Sequence, residues 1–129
     1  MIRYTDSLEG VSADMLQGFF DGWTRPRTPD EHMKILEGSD HIVLAVDAGS
    51  GRVVGFVTAL TDGVQAAFIP LLEVLPAYRK RGIGTALVTR MLEKLKGTPA
   101  IDLTCDPELQ RFYTRFGMTS STGMVIRDC

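Results

Sequence analysis

Apolar residues change their spacing twice along this chain, and the changes mark out its elements. Ile2 to Thr5 forms a short opening strand. From Ser12 to Phe20, Met15, Leu16, Phe19 and Phe20 recur at helical intervals behind a cap-type serine, and Pro29 to Glu37 gives a second short helix behind Thr28. After Gly38 the pattern becomes β-branched. His41 to Val46 and Val53 to Leu60 read as strands joined through Gly49, Ser50 and Gly51, a hairpin composition, and Asp62 with Gly63 marks the next turn.

Ala66 to Leu75 is nearly continuous in apolar residues, as expected of a central strand covered on both faces. Pro70 lies inside it. Proline cannot donate to a ladder, so this strand is expected to be irregular or to part from a neighbour near its middle. Ile83 to Leu95 carries the clearest helical stripe, with Gly97 as its stop. Ala100 to Cys105 returns as a strand, Pro107 opens a helix through Phe116 closed by Gly117, and Met124 to Arg127 can make a last strand. The order predicts a mixed α/β domain with local hairpins and at least one strand-helix-strand crossover.

Composition narrows the function classes. The 129 residues suit one domain, and a formal charge of -2 argues against a general nucleic-acid or membrane-surface binder. Cys105 and Cys129 make no disulfide framework, no signal peptide opens the chain and no apolar run approaches membrane-spanning length, so a reducing cytoplasm is the expected compartment. Against that acidic balance, "YRKRGIGTAL", Tyr78 to Leu87, places Arg79, Lys80 and Arg81 directly before Gly82 and Gly84 and the start of a helix. Unpaired amides and the positive end of a helix dipole meet there, an arrangement suited to a diphosphate. The same glycines would equally permit a tight strand-to-helix turn with solvated cations. A dinucleotide fingerprint would need a third glycine where Leu87 stands, and a mononucleotide P-loop would need a missing Gly-Lys-Ser/Thr ending.

"EVLPAYRKRGIGTALVTRMLEKL", Glu73 to Leu95, resembles the signature segment of the GNAT superfamily of acyl-CoA-dependent N-acyltransferases: Val74, Pro76, Arg79, Gly82 and Gly84 fill its pattern. "DPELQRFYTRFGM", Asp106 to Met118, is similar to that family's closing helix through Tyr113, Arg115 and Gly117. The likeness runs through essentially the whole chain. It implies a single domain, residues 1 to 129, built on a mostly antiparallel mixed sheet of six to seven strands and about four helices, splayed between its fourth and fifth strands. It also implies acetyl-CoA as co-substrate, with pantetheine on main-chain groups of Leu72 and Val74 near a bulge at Leu72 and Glu73. The diphosphate would lie on Arg79, Lys80, Arg81, Gly82, Ile83, Gly84 and Thr85. Asp106 stands where the family often has Asn, Leu109 where it often has Ala and Met118 where it has Phe; Asp106 can still accept a bond from the cofactor.

Acyl transfer to an amine needs a neutral nitrogen, a polarised carbonyl and a proton for the departing thiolate. Tyr113 matches the family's general acid, and a backbone amide near Val74 would polarise the carbonyl. Glu73 is the best candidate base, as the one ionisable side chain in an apolar strand, where burial would raise its pKa; it could instead face solvent or pair with an arginine. Asp102 and Asp106 are weaker alternatives. Cys105 reads as a buried structural thiol, since His32 and His41 lie far off in the chain. For the acceptor, "FFDGWTRPRTP" offers Phe19 and Trp23 as substrate contacts, although the phenylalanines equally suit the core, and Arg25 and Arg27 could draw an acidic acceptor or remain solvated. The expected activity is N-acetyl transfer to a primary amine of a small molecule or peptide in a ternary complex without metal; the rival is a non-catalytic acyl-CoA sensor or interaction module. A homodimer through the apolar face of a terminal strand is left open.

Overall fold

The computed structural model of the chain describes residues 1–128, so Cys129 lies outside the described residues. Among the described residues six strands form one sheet: β1 (Ile2–Thr5), β2 (His41–Asp47), β3 (Val53–Thr61), β4 (Ala66–Phe68), β5 (Leu72–Val74) and β6 (Ala100–Asp102). Three α-helices accompany them: α1 (Pro29–Gly38), α2 (Ile83–Lys94) and α3 (Gln110–Thr114). The sheet runs β1-β2-β3-β4-β6, with β5 also on β3, and β4 with β6 is its parallel pair.

β2 and β3 are buried on both faces because each face has its own cover. On one face, Gly55 lies beneath Leu87 and Ile83 of α2, where an added Cβ would come within 3.1 and 3.3 Å of them. On the other, Phe56 packs against Phe19 and Phe20 of the segment leading into α1 and against His32 within α1. Strand alternation thus separates an α2 face from an α1 face.

The predicted long strand Ala66 to Leu75 is two strands. Between the pairs Leu60↔Phe68 and Val57↔Leu72, β3 advances three residues while its partner advances four, which makes a one-residue bulge around Pro70, ahead of the Leu72 and Glu73 position expected from the sequence, where the ladder is regular. Before the bulge, β4 pairs with both β3 and β6; after it, β5 stays on β3 and has no ladder with β6. The last link across is the Ile69 N–H donating to the Asp102 carbonyl at 2.9 Å. The sheet forks there, as Pro70 and the splay between fourth and fifth predicted strands required.

Other expectations need correction. The helix expected over Ser12 to Phe20 is only a 3₁₀ turn, Ala13–Leu16, because Gln17 is extended and Gly18 takes φ 92°. The helix from Pro107 is a 3₁₀ turn, Pro107–Leu109, followed by the five-residue α3, which brings the α-helices to three. The strand expected at Ala100 to Cys105 ends at Asp102. Met124 to Arg127 forms no strand, and Met124 and Ile126 are almost fully exposed. That short stretch, preceded by Thr119, Ser120, Ser121, Thr122 and Gly123, cannot hold a register by itself.

Candidate active site

The fork leaves one edge of β5 without a protein strand beside it. In the β3–β5 ladder, the Leu75 N–H donates to the Val54 carbonyl at 2.8 Å and the Thr58 N–H to the Leu71 carbonyl at 3.1 Å. Antiparallel alternation therefore turns the main-chain groups of residues 71, 73 and 75 toward β3, and those of Leu72 and Val74 toward the opening. The Val74 carbonyl is indeed reached from that side, by Arg79 Nε at 2.9 Å.

α2 begins at the mouth of this opening. The Ala86 N–H donates to the Gly82 carbonyl at 3.0 Å, so the N–H groups of Ile83, Gly84 and Thr85 precede the first helical bond. Among the described residues no side chain caps them, and the first turn holds no acid. The contrast with α1 is instructive, since Thr28 and Glu31 form a capping box there and Asp30 adds negative charge. The preceding turn is bent by two left-handed residues, Lys80 at φ 64° and Gly82 at φ 81°. Lys80 is one of only two non-glycine residues with positive φ among those described, and such strain clusters where a loop must present its amides. Arg79, Lys80 and Arg81 are exposed, and no carboxylate pairs with them among the described residues. Arg81 lies over the Tyr78 ring, which is anchored by its hydroxyl donating to Asp47 Oδ2 at 2.6 Å.

β5, α2 and α3 meet at Gly84, where an added Cβ would stand 3.7 Å from Phe112 Cζ and 4.0 Å from Val74 Cγ2. Tyr113 follows Phe112 on α3 and is 9% exposed; burial, then the neighbouring Cys105, raises its pKa above 10.0. Cys105 is a free, half-buried thiol, less enclosed than expected. Asp106 precedes the turn into α3 with an exposed side chain that caps nothing, and its carbonyl accepts from the Leu109 N–H at 2.9 Å.

Glu73 extends to the α1 face, opposite Phe56 in the ladder. Both carboxylate oxygens accept from one donor, the Phe20 N–H, at 3.1 and 3.2 Å. Burial raises the Glu73 pKa; the Phe20 N–H and Arg79 oppose the rise and Asp21 adds to it. Glu73 is thus half-buried and bound to a backbone amide, neither solvated nor in an arginine pair.

The acceptor contacts read from the sequence separate. Phe19 is buried edge-on against His32 and Phe56, both at 5.2 Å between centroids, and belongs to the core. Trp23 is 48% exposed and edge-on to Phe20 at 4.9 Å. Arg25 pairs with Asp128 and Arg27 with Glu31, so both cations have carboxylate partners. Two participants went unrecognised in the sequence. Nothing in the sequence marks Phe20 for a left-handed backbone; the burial of His32 does have a signal, since with Leu36 it falls on one stripe of α1.

An open mixed sheet that forks at a proline bulge, with an uncapped helix start at the mouth of the fork, is the architecture of a GNAT-fold acetyltransferase. The chain belongs to the acetyltransferase (GNAT) family, which it matches over residues 8–118. It is 30% identical to GCN5-related N-acetyltransferase 1, chloroplastic, of Arabidopsis thaliana, over 87% of this chain and 58% of that protein. It is 32% identical to serotonin N-acetyltransferase 2, chloroplastic, of Oryza sativa subsp. japonica, over 86% and 58% respectively. The chain thus spans well under two thirds of the length of these relatives. A solved candidate acetyltransferase from Deinococcus radiodurans R1 is 42% identical and superposes with a TM-score of 0.94 over 98% of this chain and 87% of that one. A GNAT-family acetyltransferase from Streptococcus pneumoniae TIGR4 is 28% identical, with a TM-score of 0.73 over 99% and 97%.

Proposed function

We propose that the protein is an acetyl-CoA-dependent N-acetyltransferase that acetylates a primary amine of a small molecule or peptide by direct transfer in a ternary complex. One observation carries this reading: the edge of β5 at Leu72 and Val74, unpaired by any strand and with only the Val74 carbonyl taken, by Arg79 Nε, lies next to the uncapped amides of Ile83, Gly84 and Thr85. An extended amide-bearing arm can add to the first as a strand would, while a diphosphate is held by the second. Asp106, lacking any cap bond of its own, is free to accept from the cofactor. No group of metal-binding side chains occurs among the described residues, and the proposed chemistry uses none.

Acetyl-CoA supplies the activated thioester. The protein's residues do the rest. Glu73, on the far side of β5 from Gly84, takes a proton from the acceptor's ammonium so that the neutral amine can attack the thioester carbonyl, and its half-burial raises its basicity toward that task. A main-chain N–H at Val74 polarises the carbonyl. Tyr113, kept protonated by burial, returns a proton to the thiolate. Trp23, the exposed aromatic beside Phe20, contacts the acceptor. With Arg25 and Arg27 each paired to a carboxylate, the surface offers little pull on an acidic acceptor, and the rice relative's name puts serotonin first in the panel to be tried. Cys105, a free thiol, suits the reducing cytoplasmic setting that belongs to the same proposal.

The test has two stages. Acetyl-CoA at about 100 times its dissociation constant should raise stability by roughly 2.7 kcal/mol, read as a thermal shift. Release of CoA thiol across a panel of aryl-alkyl amines, polyamines, amino acids and peptides should then find an acceptor. No shift would refute the whole reading; a shift without turnover across the panel would leave an acyl-CoA sensor.

A further inference from the structure

Phe20 combines three features: burial, a left-handed backbone and a bond to Glu73. It is 1% exposed, its φ is +64°, and its N–H lies between the two oxygens of Glu73 at 3.1 and 3.2 Å. A left-handed backbone is unfavourable for a residue with a bulky side chain and persists only when its surroundings enforce it. Here the enforcement is visible: the Phe20 ring is edge-on to His32 at 4.9 Å and to Trp23 at 4.9 Å, and rests 6.0 Å from Phe56. Gly18 and Gly22, at φ 92° and 82°, bend the chain on either side. The ring is the anchor and the backbone amide is the working end.

We propose that Phe20 is a positioning residue for Glu73, its buried ring fixing a left-handed turn whose main-chain N–H holds both carboxylate oxygens and so sets where the carboxylate points. The proposal rests on the base assigned to Glu73 above. A single donor bridging two oxygens stops the carboxyl group from rotating, yet leaves each oxygen a lone pair directed away from Phe20 for a substrate proton. The other charged groups acting on Glu73 are Arg79, from the turn after β5, and Asp21, next to Phe20; from α1, the titratable His32 touches the Phe20 ring.

In the unsubstituted protein, the amide resonance of Phe20 and the side-chain carboxyl carbon of Glu73 should move with one midpoint when pH is varied. In Phe20→Gly, which removes the anchoring ring, the Glu73 carbon should titrate at higher pH because an opposing hydrogen bond is lost; Phe20→Leu, which keeps an apolar anchor, should restore the parent behaviour. With an acceptor in hand, Phe20→Gly should lower kcat on the order of 10²-fold with KM for acetyl-CoA unchanged, and should cost nothing further in a Glu73→Gln background. A Phe20 amide indifferent to Glu73 titration would overturn the proposal even if the enzyme were inactive or Phe20→Gly failed to fold. So would equal losses in both backgrounds. If Glu73→Gln were fully active while the two groups still titrated together, the base assignment would fail and the contact would stand.

Discussion

His32 is 1% exposed, its two ring nitrogens have no hydrogen-bond partner among the described residues, and aromatic rings of Phe19, Phe20 and Phe56 surround it. Burial lowers its pKa from 6.5 to about 4. Because the unfolded chain takes up the proton first, the stability tied to neutral His32 is complete above pH 6.5 and is lost as pH falls toward 4. The difference of about 2.5 units, at roughly 1.4 kcal/mol each, amounts to about 3 kcal/mol lost by pH 4. His32→Leu replaces the imidazole by an apolar side chain of similar volume and abolishes this component. Urea unfolding followed by circular dichroism at pH 7.5, 6, 5 and 4 should show the parent falling about 3 kcal/mol further than the variant across the range. The carboxylates titrate in both proteins, so the difference isolates residue 32. At pH 7.5 the variant should be close to the parent, since loss of edge-on ring contacts is offset by removal of two unpartnered nitrogens. Parallel pH profiles for the two proteins would refute the assignment.

Three further outcomes follow from the site. Glu73→Gln should raise the melting temperature at pH 7, because a buried carboxylate whose pKa is raised is most costly above its unfolded value, and the gain should shrink as pH falls and Glu73 protonates; kcat should drop roughly 10²- to 10⁴-fold. Tyr113→Phe should bind acetyl-CoA normally by calorimetry but lose about 10²-fold in kcat, while the parent keeps its activity until pH exceeds the ordinary tyrosine value of 10.0. Gly82→Val, which puts a β-branched residue at φ 81°, should cost about 1–3 kcal/mol in urea unfolding and weaken acetyl-CoA, whereas Gly84→Ala meets only ordinary protein contacts at 3.7 Å and should not lower stability.

What could be read in the sequence follows a physical division. Strands β1 to β3 and helices α1 and α2 were legible because their apolar periods reflect burial that the fold then supplies. The fork was legible for a different reason: Pro70 lacks the N–H that a continuous ladder needs. Helices failed where tertiary demands outweighed local spacing. Ser12 to Phe20 has helical spacing, yet its glycine at 18 turns left-handed so that Phe19 and Phe20 can both reach the core. The glycine turn announced its amides through Gly82 and Gly84, but the contact between Phe20 and Glu73, 53 positions apart, has no sequence signature because the donor is a backbone group. Arg79 could be read as a cation at the turn, not as a side chain folded onto the Val74 carbonyl.

The central claim is that the main chain of the bend and of β5, more than any single side chain, grips coenzyme A. Amide chemical shifts recorded during titration with unacylated CoA test it most directly. The largest changes should fall on Arg79 to Thr85, Leu72 and Val74, and should persist in Arg79→Ala and Arg81→Ala. Shifts confined to other surfaces, or their complete loss when one of these arginines is removed, would contradict it.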